Sequence, residues 1–182
     1  MNIAVISYSY TGNNDMLAEF VAKGLSAKHI KITTQRPVTM RTIIMDMLFA
    51  RTPEVRPATD VITQYDLILF CTPVWMGHVA SPIRAFLRYL KSNPQAYGFL
   101  SISGGADGEN KTLHRELLKR TGKKPVILLD QHIKTLISKG SKPTRNDTSE
   151  YKISEAEANR LSEAAVKEIN RLSKHLLNSS TV

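Results

Sequence analysis

The sequence predicts an α/β fold, a three-layer, doubly wound sandwich in a single domain over residues 1–182. Three observations predict it. Apolar runs of strand length recur along the chain, stretches of helical period separate them, and no interior segment reads as a linker, a repeat or low-complexity sequence. Strands that alternate with helices form a parallel sheet with helices on both faces. Strands covered on both faces read as near-continuous apolar runs.

The elements follow in order. NIAVIS (2–7) is the first strand, and Met16, Leu17, Phe20, Val21, Gly24 and Leu25 recur after it at helical spacing. HIKIT (29–33) is a short alternating strand. Met40, Ile43, Ile44, Met47 and Leu48 mark a second helix, stopped by Arg51-Thr52-Pro53, and 52–64 reads as a loop. YDLILFCT (65–72) is the strongest strand, ended by Pro73. Pro82 suits the first turn of the next helix, whose apolar face is Ile83, Phe86, Leu87 and Leu90. YGFLSIS (97–103) is a fourth strand, closed by Gly104-Gly105, and a helix is predicted over 109–121. PVILLD (125–130) is a fifth strand, which DQHIKTLIS either extends or leaves to cross the sheet's edge. Residues 138–150 read as a polar loop. Ser154 and Glu157 form a capping-box pattern ahead of a final helix lined by Leu161, Ala165, Ile169, Leu172 and Leu176, and NSSTV (178–182) is expected to fray.

Composition narrows the function. Hydrophobic residues make up 42% and charged residues 23%, as in globular proteins. A single cysteine, Cys71, excludes an internal disulfide and a cysteine metal cluster; it reads as a small buried hydrophobe. No basic leader or membrane span is visible, so a cytoplasmic protein is expected. The formal net charge is +9, and residues 111–145 hold ten Lys or Arg against only Glu116 and Asp130. That block could meet nucleic acid, a membrane surface or an acidic partner, but a solvated helix face followed by a polar loop explains it too. Without interleaved aromatics it does not suit single strands, and no nucleic-acid partner is expected.

SYSYTGNND (7–15) joins the first strand to the first helix. In a doubly wound sheet, ligands bind beyond the C-terminal strand ends. A helix N-terminus there offers unpaired N–H groups and a positive dipole end. Ser9, Thr11, Asn13 and Asn14 add polar groups, and Gly12 lets the backbone approach a ligand. Neither GxxxxGK[ST] nor GxGxxG is present. A neutral, hydroxyl-rich cradle suits one terminal phosphate. A turn stabilised only by its own capping bonds remains the alternative.

The loop S-Y-T-G-N-N resembles the phosphate loop of the flavodoxin-like FMN-binding family, commonly [ST]-x-T-G-x-T. Ser9, Thr11, Gly12 and Asn13 match it, with Tyr10 between them, and Asn14 stands where the family usually has Thr. An amide can still donate, so the resemblance implies phosphate binding in a rearranged form. Thr72, Pro73, Val74, Trp75, Met76, Gly77 and His78 resemble the family's second flavin loop, where an aromatic borders the isoalloxazine ring. Trp75, the only tryptophan, occupies that place. Ser103, Gly104, Gly105 and Ala106 resemble the Gly-rich loop that closes over the flavin's pyrimidine edge. The resemblance implies the strand order 2-1-3-4-5, FMN as cofactor and Gly77 as the backbone group nearest the flavin N5. Metal ligands and a catalytic triad are not expected, because FMN carries the chemistry.

Three functions stay open. One is an oxidoreductase passing electrons from NAD(P)H through FMN to a quinone or similar small-molecule acceptor. Another is a one-electron carrier like flavodoxin, exchanging electrons with redox proteins. The third is a binding module that has lost FMN. Carrier flavodoxins are typically acidic, whereas residues 67–92 here contain Arg84, Arg88 and Lys91 and no Asp or Glu. The oxidoreductase is therefore preferred, with a homodimer as its conceivable assembly.

Overall fold

The computed structural model describes the backbone of residues 1–106, 108–137 and 143–179. The strands are β1 (Ile3–Ser7), β2 (Lys28–Lys31), β3 (Thr33–Thr34), β4 (Val55–Arg56), β5 (Leu67–Cys71), β6 (Val74–Trp75), β7 (His78–Val79), β8 (Ala96–Ser103) and β9 (Leu128–His132). The helices are α1 (Asn13–Leu25), α2 (Met40–Leu48), α3 (Arg84–Ser92), α4 (Leu113–Thr121), α5 (Arg145–Glu150) and α6 (Glu155–Ser179). The main sheet runs β2-β1-β5-β8-β9. All its pairings are parallel. Counted among these five strands alone, this is the expected order 2-1-3-4-5.

Alternation inside the apolar runs divides the core into two layers. Ala4, Ile6, Ile68, Phe70, Tyr97 and Phe99 pack with Phe86, Leu87 and Leu90 of α3 and Leu113 and Leu117 of α4. Ile3, Val5, Leu67, Leu69, Cys71, Leu100 and Ile102 pack with Leu17 and Val21 of α1 and Ala165 and Ile169 of α6. Strands β1, β5 and β8 thus bury both faces, which is why they read as apolar runs, whereas the edge strand β2 is partly exposed and reads as alternating. On α2 the inward side is Ile43, Asp46 and Met47, and the exposed side carries Met40, Ile44, Met45 and Leu48.

Several boundaries differ from expectation. Residues 52–64 are not all loop: Thr33 and Thr34 pair antiparallel with Arg56 and Val55, and a 3-10 turn, Thr59–Ile62, buries Ile62. The helix predicted over 109–121 begins only at Leu113, because the chain before it borders the cavity described below. The fifth strand starts at Leu128 and extends to His132 before a 3-10 turn leaves the sheet. In the stretch read as a polar loop, 138–142 lie outside the described residues, and α5 occupies 145–150. Its capping box, Thr144 with Asp147, was legible in the sequence, but the polar composition masked it. The Ser154–Glu157 box forms as predicted. Helix α6 continues through Asn178 and Ser179, so these two are helical rather than frayed; 180–182 and the Leu176 side chain lie outside the described residues.

Candidate functional site

Three loops meet beyond the C-terminal ends of β1, β5 and β8, where a doubly wound sheet presents its crevice. The cavity between them measures about 560 Å³, within the usual size range for small-molecule sites. Tyr10, Thr11 and Asn14 line it from the first loop, and Pro73, Val74, Trp75, Met76 and Gly77 from the second. Ser103, Gly104, Gly105 and Ala106 line it from the third.

The first loop is held by its own polar groups. Gly12 caps α1 with φ of 94°, a conformation that favours glycine. A Cβ there would meet nothing within 4 Å, so the backbone is open to approach. The Ser9 hydroxyl accepts from the backbone N–H of Gly12 at 2.9 Å and of Asn14 at 3.1 Å. Asn13 donates from Nδ2 to the Tyr151 carbonyl at 2.9 Å and accepts at Oδ1 from the Ile153 N–H at 3.1 Å. Asn14 binds both backbone groups of Ile102. The two amides are therefore spent on the fold, and Ser9 occupies two N–H groups of the helix end. The Thr11 hydroxyl makes no hydrogen bond among the described residues, while the Thr11 carbonyl accepts from Lys152 Nζ.

The second loop is a two-residue hairpin, with Val74 opposite Val79 and Trp75 opposite His78. Met76 (φ 49°) and Gly77 (φ 79°) both take positive φ, as a type I′ turn requires. Trp75 stands edge-on to Tyr8, centroids 5.9 Å apart at 84°. Burial pushes the Tyr8 phenol up to about 12, so this support stays neutral. Glu116 of α4 accepts the Val79 N–H at 3.0 Å and pairs with Arg120 at 2.7 Å. His78 Nδ1 lies 3.4 Å from the same carboxylate, and His78 does not line the cavity. Thr72 is fully buried and its Oγ1 has no partner among the described residues.

Beneath the third loop, Asp130 accepts from Ser101 Oγ at 2.7 Å and from Asn110 Nδ2 at 2.9 Å, and His132 Nε2 lies 3.2 Å away. The Gly104 carbonyl accepts from the Lys134 N–H at 3.1 Å. A Cβ on Gly104 would come within 2.8 Å of Thr148 Oγ1, so α5 closes directly onto this loop.

The structure thus brings twelve of the predicted site residues to one cavity. Ser9, Gly12, Asn13, Thr72 and His78 stand beside or behind it. Sequence reasoning missed a wall made by Thr148 and Ser149 and a rim that includes Glu109 and Asn110; Lys111 and Arg145, read only as part of the basic block, border the cavity with them. It also missed Lys152, because nothing in a linear reading places residue 152 against residue 11. Arg84, counted above with Arg88 and Lys91 against an acidic docking face, is buried, donating to the carbonyls of Asp46 at 3.0 Å and Arg51 at 3.1 Å. Burial pulls its pKa down. The basic block does not form one face: Lys111 and Arg145 border the cavity, Arg120 pairs with Glu116, and Lys139 and Lys142 lie outside the described residues. Cys71 is buried and burial pushes its thiol up, which leaves it unreactive.

Residues 1–119, which contain all three loops, match the model of the family described as NADPH-dependent FMN reductase. The chain belongs to this family. Among solved structures, a flavoprotein of Bacteroides eggerthii DSM 20697 is similar at 18% identity and TM-score 0.61, covering 72% of this chain and 87% of that one. A flavoprotein of Lactobacillus acidophilus NCFM, solved in complex with FMN, gives 18% identity and TM-score 0.59 over 71% of this chain and 93% of that one. The Trp repressor binding protein of Bacillus subtilis gives 18% identity and TM-score 0.52 over 88% and 98%. At these identities the likeness is one of fold.

FMN, the cofactor of the family, fits what the loops offer. Trp75 walls the cavity with an aromatic surface suited to a flat ring. Gly12 leaves the helix end open to a phosphate, with the Thr11 hydroxyl beside it. No described helix is long and apolar enough to cross a membrane.

Proposed function

We propose that this family member binds FMN in the three-loop cavity and works as an oxidoreductase, passing electrons from NAD(P)H to a quinone or similar acceptor. FMN, when bound, supplies the two-electron and one-electron chemistry. The chain's own residues bind and orient it. The end of α1 with Ser9, Thr11, Gly12, Asn13 and Asn14 receives the phosphate, the two asparagines acting by fixing the loop. Residues 72–78 flank the ring, with Trp75 stacked on it and Gly77 presenting backbone near N5. Ser103, Gly104, Gly105 and Ala106 offer backbone groups to the pyrimidine edge, with Asp130 bonded to Ser101 and Asn110 on either side of them.

The observation that carries the oxidoreductase reading over a carrier is the rim of the cavity. Among the described residues, Lys111 and Arg145 border it with one carboxylate, Glu109, so the approach to the ring favours an anionic dinucleotide over a basic protein partner. The buried thiol of Cys71 suits a reducing, cytoplasmic setting.

The test is to load the purified protein with FMN, desalt it, and assay NADPH and NADH oxidation with a soluble quinone. Retained flavin with quinone-dependent turnover supports the proposal. Retained flavin without turnover, exchanging electrons only with redox proteins, would make the chain a carrier. Flavin lost entirely on desalting would leave a binding module.

A further inference from the structure

The phosphate loop carries no lysine or arginine of its own, and three of its four polar side chains are already engaged. A phosphate seated there would rely on a few backbone N–H groups and the Thr11 hydroxyl. We infer that Lys152, delivered from the far end of the chain, supplies the positive charge that holds the FMN phosphate, and that Asn13 is the residue that positions it. The inference rests on FMN occupying the cavity as proposed above.

Lys152 Nζ donates to the carbonyl of Thr11, one peptide away from Gly12 at the helix end. An ammonium has three donors, so two remain for a phosphate oxygen beyond the one on Thr11. No carboxylate pairs with Lys152 among the described residues. An anion at the loop would lie well inside a Debye length of it. The placement is built rather than incidental. The Asn13 amide grips the Tyr151 carbonyl and the Ile153 N–H, the two backbone groups that flank Lys152. Ile153 is buried in the core behind, and the Tyr151 hydroxyl donates to Glu157 at 2.6 Å. Residue 152 is thereby pinned over the loop on both sides. It also lies outside residues 1–119, the stretch matched to the family, so the cation is a feature of this chain's own C-terminal part.

Trp75 is the only tryptophan, so quenching of its fluorescence reports flavin binding without any turnover. Dissociation constants of FMN and of riboflavin, which lacks the phosphate, would be measured for the native protein, Lys152→Gln, Lys152→Arg and Asn13→Ala. The native protein is expected to prefer FMN. Lys152→Gln should weaken FMN about tenfold and leave riboflavin unchanged, as for loss of one charge-assisted bond at an exposed site. Lys152→Arg should retain most of the preference, and Asn13→Ala should lose FMN selectively too. The salt dependence of FMN binding should flatten in Lys152→Gln. An FMN-to-riboflavin ratio equal in the native protein and Lys152→Gln would overturn the role of Lys152 while leaving FMN binding standing. Absence of quenching by either flavin in the native protein would overturn both.

Discussion

The Asn14 side chain takes the place of a missing strand beside Ile102. Its Nδ2 donates to the Ile102 carbonyl at 2.9 Å and its Oδ1 accepts the Ile102 N–H at 3.0 Å. The pairing of β5 with β8 ends at Cys71 opposite Leu100, and the Thr72 N–H makes the last bond, to Leu100 at 3.1 Å. Two residues further on, the same edge of β8 would be bare, because Pro73 turns the chain away. The carboxamide supplies one donor and one acceptor at that point, which a threonine cannot do with the same reach.

Asn14→Thr, which would restore the family's usual residue, is therefore expected to destabilise the protein. Buried backbone groups left without partners cost about 1–3 kcal/mol each. The midpoint of urea unfolding should fall clearly, while FMN, if it still loads, should bind within a few-fold of its native strength. A variant as stable as the native protein would show that the bridge to Ile102 is dispensable.

Trp75 walls the cavity and is supported by Tyr8. Stacking on a flat ring is worth roughly 0.5–1.5 kcal/mol beyond area. Trp75→Ala should weaken flavin binding about tenfold, for FMN and riboflavin alike, while Trp75→Phe should lose only a few-fold. Equilibrium titration followed by flavin fluorescence measures both. Equal affinities in the alanine variant and the native protein would remove Trp75 from the ring site.

Gly77 adopts φ of 79° in the hairpin, and a Cβ there would lie 3.4 Å from Thr112 Oγ1. Gly77→Ala strains the turn by about 1 kcal/mol and crowds the backbone proposed to face the flavin N5. Redox titration of the FMN-loaded variant should show the two one-electron potentials displaced relative to each other. An unchanged pair would place some other group next to N5.

His29 gives the stability a pH dependence. The Ser7 hydroxyl donates to Asp15 Oδ1 at 2.7 Å, so His29 Nε2, 2.9 Å from Ser7 Oγ, is the donor to that hydroxyl oxygen. Burial pulls the His29 pKa below its usual 6.5, against the opposing pull of Asp15. Below pH 6.5 the unfolded chain then binds more protons than the folded one. This contribution is complete above about pH 6.5 and is lost as pH falls through the window down to the folded value. Thermal melts of the native protein should weaken from pH 7 to pH 5 more steeply than those of His29→Gln, which keeps a donor without a titration. Parallel slopes would assign the acid sensitivity elsewhere.

Local signals accounted for much of the fold and part of the site. Apolar runs and helical periods placed the five strands of the main sheet, and the family-like loops followed from their place after particular strands. Twelve of the residues named from those loops line the cavity. The misjudged residues are those whose partners are distant in sequence. Asn13 and Asn14 looked like phosphate donors, yet their amides meet Tyr151, Ile153 and Ile102. Arg84 was counted in the charge balance of 67–92, yet it is buried against carbonyls of residues 46 and 51.

Hydrophobic period and turn chemistry act over a few residues, so the layered α/β architecture and the crevice where three loops meet are legible along the chain. Which polar groups remain available to a ligand, and that α5 and Lys152 reach the site from residues 144–152, follow from the packed fold instead. Hydrogen bonding is an accounting over all buried donors and acceptors, and that account can be settled only once the segments that share them are side by side.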